Sequence, residues 1–205
     1  MKAFSNLLSD LILTSSRNRK LSLLEQYFSS TPDPDRGYAL AALTGSLNFK
    51  NIKASFFKDL IKEKQDEHLF DLSYDYVGDL AETISLLWDQ EKGGNMPRLS
   101  SLFENLKKAK NDELKNHIIN ILNISTADQR WAFIKLFTGG LRIGVSSRLV
   151  KQALANYGNV DLEEIEKIWH GLHFPYTNLF SWLENKGSKP KISIYDIFHP
   201  MMLAH

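Results

Sequence analysis

An all-α fold of about a dozen short helices is what this sequence predicts, and three observations carry that expectation. Apolar residues recur at spacings of three and four along nearly the whole chain, the interval that lines one face of an α-helix. No alternating pattern of useful length marks a β-strand, the weak exception being residues 192–197. Residues that suit helix starts stand where the apolar periodicity resumes after each break.

Taken in order, Phe4, Leu7, Leu8, Leu11 and Ile12 form the first apolar face, and Leu21, Leu24, Tyr27 and Phe28 the second. Thr-Pro-Asp-Pro-Asp-Arg at residues 31–36 breaks the pattern, and Asp33 or Asp35 is placed to cap the following helix, which carries Tyr38. Leu80, Ile84, Leu87 and Trp88 make a later face, closed by Gly93-Gly94-Asn95 before Pro97. Ile118, Ile119, Leu122 and Ile124 come next, and then Ser125 or Thr126 caps the helix containing Trp131. Gly158-Asn159 is a further stop, Asp161 starts the helix of Ile165, and residues 186–190 are the last break.

With 205 residues, 43% of them hydrophobic, the chain is long enough for one domain with a sizeable core. It has no cysteine, so disulfides and thiolate metal sites are excluded. The N-terminal apolar stretch is interrupted by Asp10 and reads as an amphipathic helix rather than a leader. No run approaches the ~20 apolar residues that span a bilayer. The expectation is a cytoplasmic protein with no membrane partner.

The net charge of +1 conceals a segregation. Residues 36–58 hold Arg36, Lys50, Lys53 and Lys58 and no acid. Residues 129–160 hold Arg130, Lys135, Arg142, Arg148 and Lys151, again without an acid. Residues 11–24 add Arg17, Arg19 and Lys20, whereas residues 59–92 carry ten acids and three lysines. Such blocks imply a polarised surface with one basic face, for which a polyanion is the simplest partner.

Residues 34–61 also align with residues 128–155 without a gap. Arg36 meets Arg130, Thr44 meets Thr138, Gly45 meets Gly139, Leu47 meets Leu141 and Leu60 meets Leu154. Both segments read as helix, Thr-Gly-x-Leu turn, helix, and the expectation is two pseudo-repeats, roughly 1–92 and 97–185, about a pseudo-two-fold axis. Glycine at a helix end supplies the left-handed turn, and the amides and positive dipole end of the next helix suit a phosphate. The second copy adds Gly140, Gly144, Arg142 and Arg148, with Ser146 as an N-cap and Thr138 as a hydroxyl donor. A third candidate is the polar loop at residues 15–20, where Asn18 can cap and Arg17, Arg19 and Lys20 can reach phosphates. Glycine-plus-arginine loops suit backbone and minor-groove contact rather than base reading, so binding with little sequence preference is expected.

Other constellations carry no chemistry. His170 and His173 lack a third ligand nearby, and Asp161, Glu163, Glu164 and Glu166 are acids at a helix start, where they complement the dipole. Gly93-Gly94 is not followed by Gly-Lys-Ser or Gly-Lys-Thr. The tryptophans at 88, 131, 169 and 182 fall on apolar helical faces. No catalytic residue, metal site or cofactor is expected in this chain.

The stretch T-G-G-L-R-I-G-V-S-S-R-L-V-K-Q-A-L at residues 138–154 resembles the signature of the N-terminal DNA-binding domain of ATP-dependent DNA ligases, its bacterial branch especially. S-R-N-R-K-L (16–21), D-P-D-R-G-Y-A-L-A-A-L-T-G (33–45) and S-Y-D-Y-V-G-D-L-A-E-T (73–83) support it, and the similarity runs to F-H-P-M-M-L-A-H at 198–205. The resemblance implies a domain that binds the minor groove of duplex DNA on either side of a nick, closing a ring with adenylation and OB-fold domains. It implies DNA contacts at Thr138, Gly139, Gly140, Arg142, Gly144 and Ser146, at Thr44, Gly45 and Ser46, and at Arg17, Asn18 and Lys20. It further implies work in DNA repair, replication and recombination, at the nucleoid, with ATP and Mg²⁺ serving the full-length enzyme. No lysine here is followed by x-Asp-Gly, the adenylation motif, so the chain is expected to be a ligase fragment that stops short of the chemistry, residues 186–205 being a linker toward that domain. Two other readings stand beside this one: a helical scaffold whose basic face docks an acidic protein, and a binder of structured RNA.

Overall fold

The computed structural model describes residues 1–47, 52–89, 94–138 and 140–191. The extended segment expected at 192–197, the closing octapeptide, and Lys50, Gly93 and Gly139 lie outside the described residues. Within them the chain is all helical and has no strand, as its periodicity predicts. The helices are α1 (Lys2–Leu13), α2 (Arg17–Ser30), α3 (Asp35–Leu43), α4 (Ala54–Lys62), α5 (Glu67–Val77) and α6 (Leu80–Leu87). They are followed by α7 (Leu99–Lys108), α8 (Asn111–Ile124), α9 (Ala127–Lys135), α10 (Ser147–Gly158), α11 (Leu162–Ile168) and α12 (Thr177–Leu183). No described helix is long and apolar enough to cross a membrane.

Taken in chain order, α1–α6 can be set against α7–α12. The helices α2 and α8 are each 14 residues long, and both ends are displaced by 94 residues, from Arg17 to Asn111 and from Ser30 to Ile124. That is the displacement that sets Arg36 against Arg130. Across the six pairs the starts differ by between 92 residues (Asp35 to Ala127) and 97 (Lys2 to Leu99).

Packing does not follow the sequence halves 1–92 and 97–185. The chain forms two compact units, one from Met1–Ser15 with Gly45–Gly144, the other from Ser16–Thr44 with the chain from Val145 onward. The first therefore holds α1 and α4–α9, and the second α2, α3 and α10–α12. In the first unit α9 packs on α1 and α6, and α4 packs on α5 and α6. In the second α10 packs on α2, α11 and α12. Each unit thus combines the α2–α3 type of helix pair from one half with the three-helix run from the other.

One guanidinium per unit fastens that exchange. Arg130 at the start of α9 is 2% exposed. It donates to the carbonyl of Leu122 at 2.9 Å and to those of Ser85 and Trp88 at 2.9 and 3.1 Å, at the end of α6. In the other unit Arg36 donates to the carbonyl of Phe28, also eight residues back, at 3.3 Å. It binds Asp33 through Nε at 2.8 Å and a terminal nitrogen at 2.7 Å, pairs with Glu184 just beyond α12, and lies 4.2 Å over the Phe180 ring. An interior guanidinium is tolerated only when its donors are satisfied, and these two are.

Apolar packing completes each unit. Phe57 of α4 meets Phe133 and Phe137 at centroid distances of 6.3 and 6.0 Å, and Phe103 of α7 meets Phe137 at 6.2 Å. In the second unit Phe28 of α2 and Phe180 of α12 lie 5.6 Å apart. Here α3 approaches its neighbour closely enough that a Cβ at Gly37 would sit 1.8 Å from the Pro175 carbonyl oxygen, so only glycine fits.

Helix starts match the sequence expectation in part. Thr126 caps α9 through a full capping box with Gln129, and Asp161 is the N-cap residue of α11. The N-cap position of α3 is Pro34 rather than an aspartate, because the helix begins at Asp35; Asp33, one residue before the cap, pairs with Arg36. Ser16 rather than Asn18 caps α2, since the helix already begins at Arg17.

Candidate nucleic-acid interface

The loop that follows α9 is shaped by its backbone. The helix ends at Lys135, and residues 136 and 137 continue as tighter turns, their amides bonding to the carbonyls of Phe133 and Ile134 at 3.2 and 3.0 Å. Phe137 and Ile143 are buried at either end of the loop and pin it. Between them Gly140 at φ +103° and Arg142 at φ +49° are exposed and left-handed, as is Gly144 at φ +66° just after Ile143. A Cβ at Gly140 would meet no atom within 4 Å, so glycine is required there by the backbone angle, and the space beside it stays open to a ligand. Arg142 holds that angle as a non-glycine residue, an uncommon state that sets its exposed side chain on the turn.

Beneath the loop, within the same unit, lies a cavity of about 240 Å³ whose lining includes Lys58, Tyr74, Asp79, Lys135, Thr138 and Arg142. Lys135, buried at the end of α9, is paired with Asp79. Asp79 also caps α6, accepting from the amide of Glu82 at 3.0 Å. Burial pushes the Asp79 carboxyl up, but the bond from Lys135 and the helix amides outweigh it and hold the group below its usual value. This ionised pair ties α6 to the helix that delivers the loop. Lys58 of α4 lies with Nζ 4.6 Å from the centre of the Tyr74 ring on α5.

The other unit carries its own candidates. Ser146 caps α10, its hydroxyl oxygen accepting from the amide of Leu149 at 3.2 Å, as expected. Arg148 is exposed two residues on, as are Arg17 and Asn18 at the start of α2. Lys20, expected among the phosphate contacts, is instead 8% exposed: it stands one turn inside α2, on the face that carries Leu21 and Leu24 inward. The Thr44 hydroxyl donates back to the Leu40 carbonyl at 2.8 Å, so its proton already serves the end of α3. Gly45, with φ +75°, and Ser46 are exposed in the unit that holds Arg142.

The acid-free runs therefore divide. Arg36, Arg130 and Lys135, counted with the basic face in the sequence, are buried at 6%, 2% and 7% exposure and serve the interior. Arg142, Arg148, Lys53 and Lys58 remain at the surface or partly so. Thr138, Gly140 and Arg142 are brought to one cavity, while Gly139 lies outside the described residues. Sequence reasoning placed Lys58 in a basic run without giving it a role, and it missed Tyr74 and Asp79. Their only signal was membership of the S-Y-D-Y-V-G-D stretch.

The family described as DNA ligase N terminus matches residues 1–155, a span that includes α1–α9, the loop after α9 and most of α10. No curated protein matches the chain.

Proposed function

The chain belongs to the family of N-terminal domains of ATP-dependent DNA ligases, and from that premise we propose that it holds duplex DNA by the backbone and minor groove beside a nick, with little regard to sequence. The observation that carries this reading is the loop at residues 138–144. Two glycines and an arginine in left-handed conformations present open backbone and an exposed guanidinium that meets no carboxylate among the described residues. Arginine on a turn of bare backbone suits phosphate and a minor groove, whose base pattern is degenerate.

Around this loop we assign Thr138, Gly139, Gly140, Gly144, Gly45 and Ser46 to one unit's contact surface. Arg17, Asn18, Ser146 and Arg148 belong to that of the other, where the Ser146 hydroxyl keeps its own proton for a phosphate oxygen while capping α10. The chain passes between units at residues 15–16, 44–45 and 144–145, and each passage falls in or beside one of these loops. The pseudo-two-fold relation of the two helix–turn–helix segments is part of this proposal and suits a duplex whose strands run antiparallel.

In the whole ligase this domain would work with adenylation and OB-fold domains in repair, replication and recombination, in the cytoplasm at the nucleoid. The residues present do not fit ATP as a covalent partner, because no lysine is followed by x-Asp-Gly. The domain's contribution to nick sealing is therefore positioning, with ATP and Mg²⁺ acting on the other domains.

The test is Arg142→Ala, measured by anisotropy against two labelled duplexes of unrelated sequence. The expected result is an equal loss of affinity for both, with the thermal melt unchanged. A loss confined to one sequence would show base reading, and no loss would remove the loop from the interface.

A further inference from the structure

The loop shares its cavity with side chains that no glycine-rich motif announces. The charged groups of the lining are Lys58, Lys135 and Arg142 against Asp79 alone. Asp79 is already committed to Lys135 and to the amides that open α6. What remains is the Lys58 ammonium and the Arg142 guanidinium, neither of which meets a carboxylate among the described residues. Two like charges bordering one recess are unfavourable until an anion enters it. The Tyr74 ring holds Lys58 by its π face, which orients the ammonium without neutralising it. The hydroxyl of Thr138 supplies a neutral donor in the same lining. Two cations, a hydroxyl and a backbone opened by Gly140 are the donor set of a phosphate seat.

We propose that this cavity seats one phosphodiester group of the bound duplex, with Lys58 of α4 as a phosphate ligand alongside Arg142 and with Tyr74 as the positioning residue that aims Lys58. The assignment rests on the DNA-binding reading above and sharpens it. It adds a contact from a helix outside the glycine loops and a reason for the aromatic residue on α5 beside it.

The experiment is equilibrium binding of the whole chain to a labelled duplex over a series of salt concentrations. Wild type is compared with Lys58→Gln, Lys58→Arg, Tyr74→Leu, and Lys107→Gln, which removes the same charge from α7 outside the cavity. Losing one phosphate contact lowers the slope of log affinity against log salt by about 0.9 and weakens binding at low salt by about five- to tenfold. That loss is expected for Lys58→Gln and not for Lys107→Gln, with Lys58→Arg close to wild type. Tyr74→Leu is expected to weaken binding, yet to add nothing once Lys58 is glutamine. A second readout needs no variant: bound duplex shields Lys58 of the wild-type chain from amine acetylation more than Lys107. If wild type binds with a steep salt slope while Lys58→Gln matches Lys107→Gln, or Lys58 gains no protection, the phosphate seat is wrong and the DNA reading stands. If wild type does not bind duplex at low salt, the DNA reading falls with it.

Discussion

Arginine serves two opposite purposes in this chain, and only surroundings far away in sequence separate them. Arg130 saturates three carbonyls, two of them 42 and 45 residues away, whereas Arg142 stands exposed on a left-handed turn. Replacing Arg130 by Met keeps the apolar stem and removes every donor. Each buried carbonyl left without a partner costs ~1–3 kcal/mol, so a loss of at least ~3 kcal/mol is expected in urea denaturation. A loss under ~1 kcal/mol would mean that water takes over those carbonyls. Gly37→Ala tests the close approach of α3 to Pro175, where a Cβ would lie 1.8 Å from a carbonyl oxygen. Since backbone rather than a flexible side chain must yield, destabilisation of ~1–3 kcal/mol or more is expected in the same assay. At this scale the sequence was legible where chemistry is local. Gly140 and Gly144 were singled out as turn formers and do take left-handed angles, and Ser146 was singled out as a cap and is one. The 8% exposure of Lys20 is not legible in the same way, because it depends on which face of α2 turns inward, and that is decided by residues it packs against rather than by its charged neighbours.

The helices themselves were the most legible part of the fold, since a period near 3.6 with capping residues between is a local property. The gapless alignment that pairs Arg36 with Arg130 runs at the same displacement of 94 residues that separates both ends of α2 and α8. What the alignment did not show is the exchange of partners, by which α2 and α3 pack with α10–α12 while α8 and α9 join α4–α6. Each half is amphipathic on faces that either arrangement would bury, so periodicity cannot choose between them. The choice is visible in Arg36, whose partner Glu184 lies 148 residues away in sequence. This pair carries a pH signature. Burial alone would lower the Arg36 value, but Asp33 and Glu184 outweigh it and raise it. Arg36, Lys186 and Tyr157 donate to Glu184 and, against the effect of burial, bring its carboxyl from 4.5 down to about 2. A carboxyl held below its unfolded value stabilises the native state above that value, and the contribution disappears as pH falls from about 4.5 toward 2. The stability gap between wild type and Glu184→Gln is therefore expected to be widest near neutral pH and to close across that window, followed by denaturant midpoints at several pH values. A gap that stays constant down to pH 2 would show that the carboxylate charge contributes nothing to the packing of α12.

For the whole molecule, a net charge of +1 would steer a polyanion weakly, so the distribution of charge has to do the work. Burial of Arg36, Arg130 and Lys135 leaves fewer surface cations than the acid-free runs suggest. Among those that remain are Arg142 and Lys58, which share a cavity in one unit, and Arg17 and Arg148 in the other. Under the proposed function, affinity comes from counterion release, which depends on phosphates neutralised and not on base identity. The most direct test measures the affinity of the chain for two nicked duplexes of unrelated sequence between about 50 and 200 mM salt, the range over which such binding changes most visibly. The account predicts straight lines of log affinity against log salt that fall with the same slope for both duplexes, an affinity about a hundredfold lower at the upper end if the four named cations each neutralise a phosphate, and a smaller slope for Arg142→Ala. Affinity that is flat across that range, or that differs by orders of magnitude between the two sequences, would contradict it.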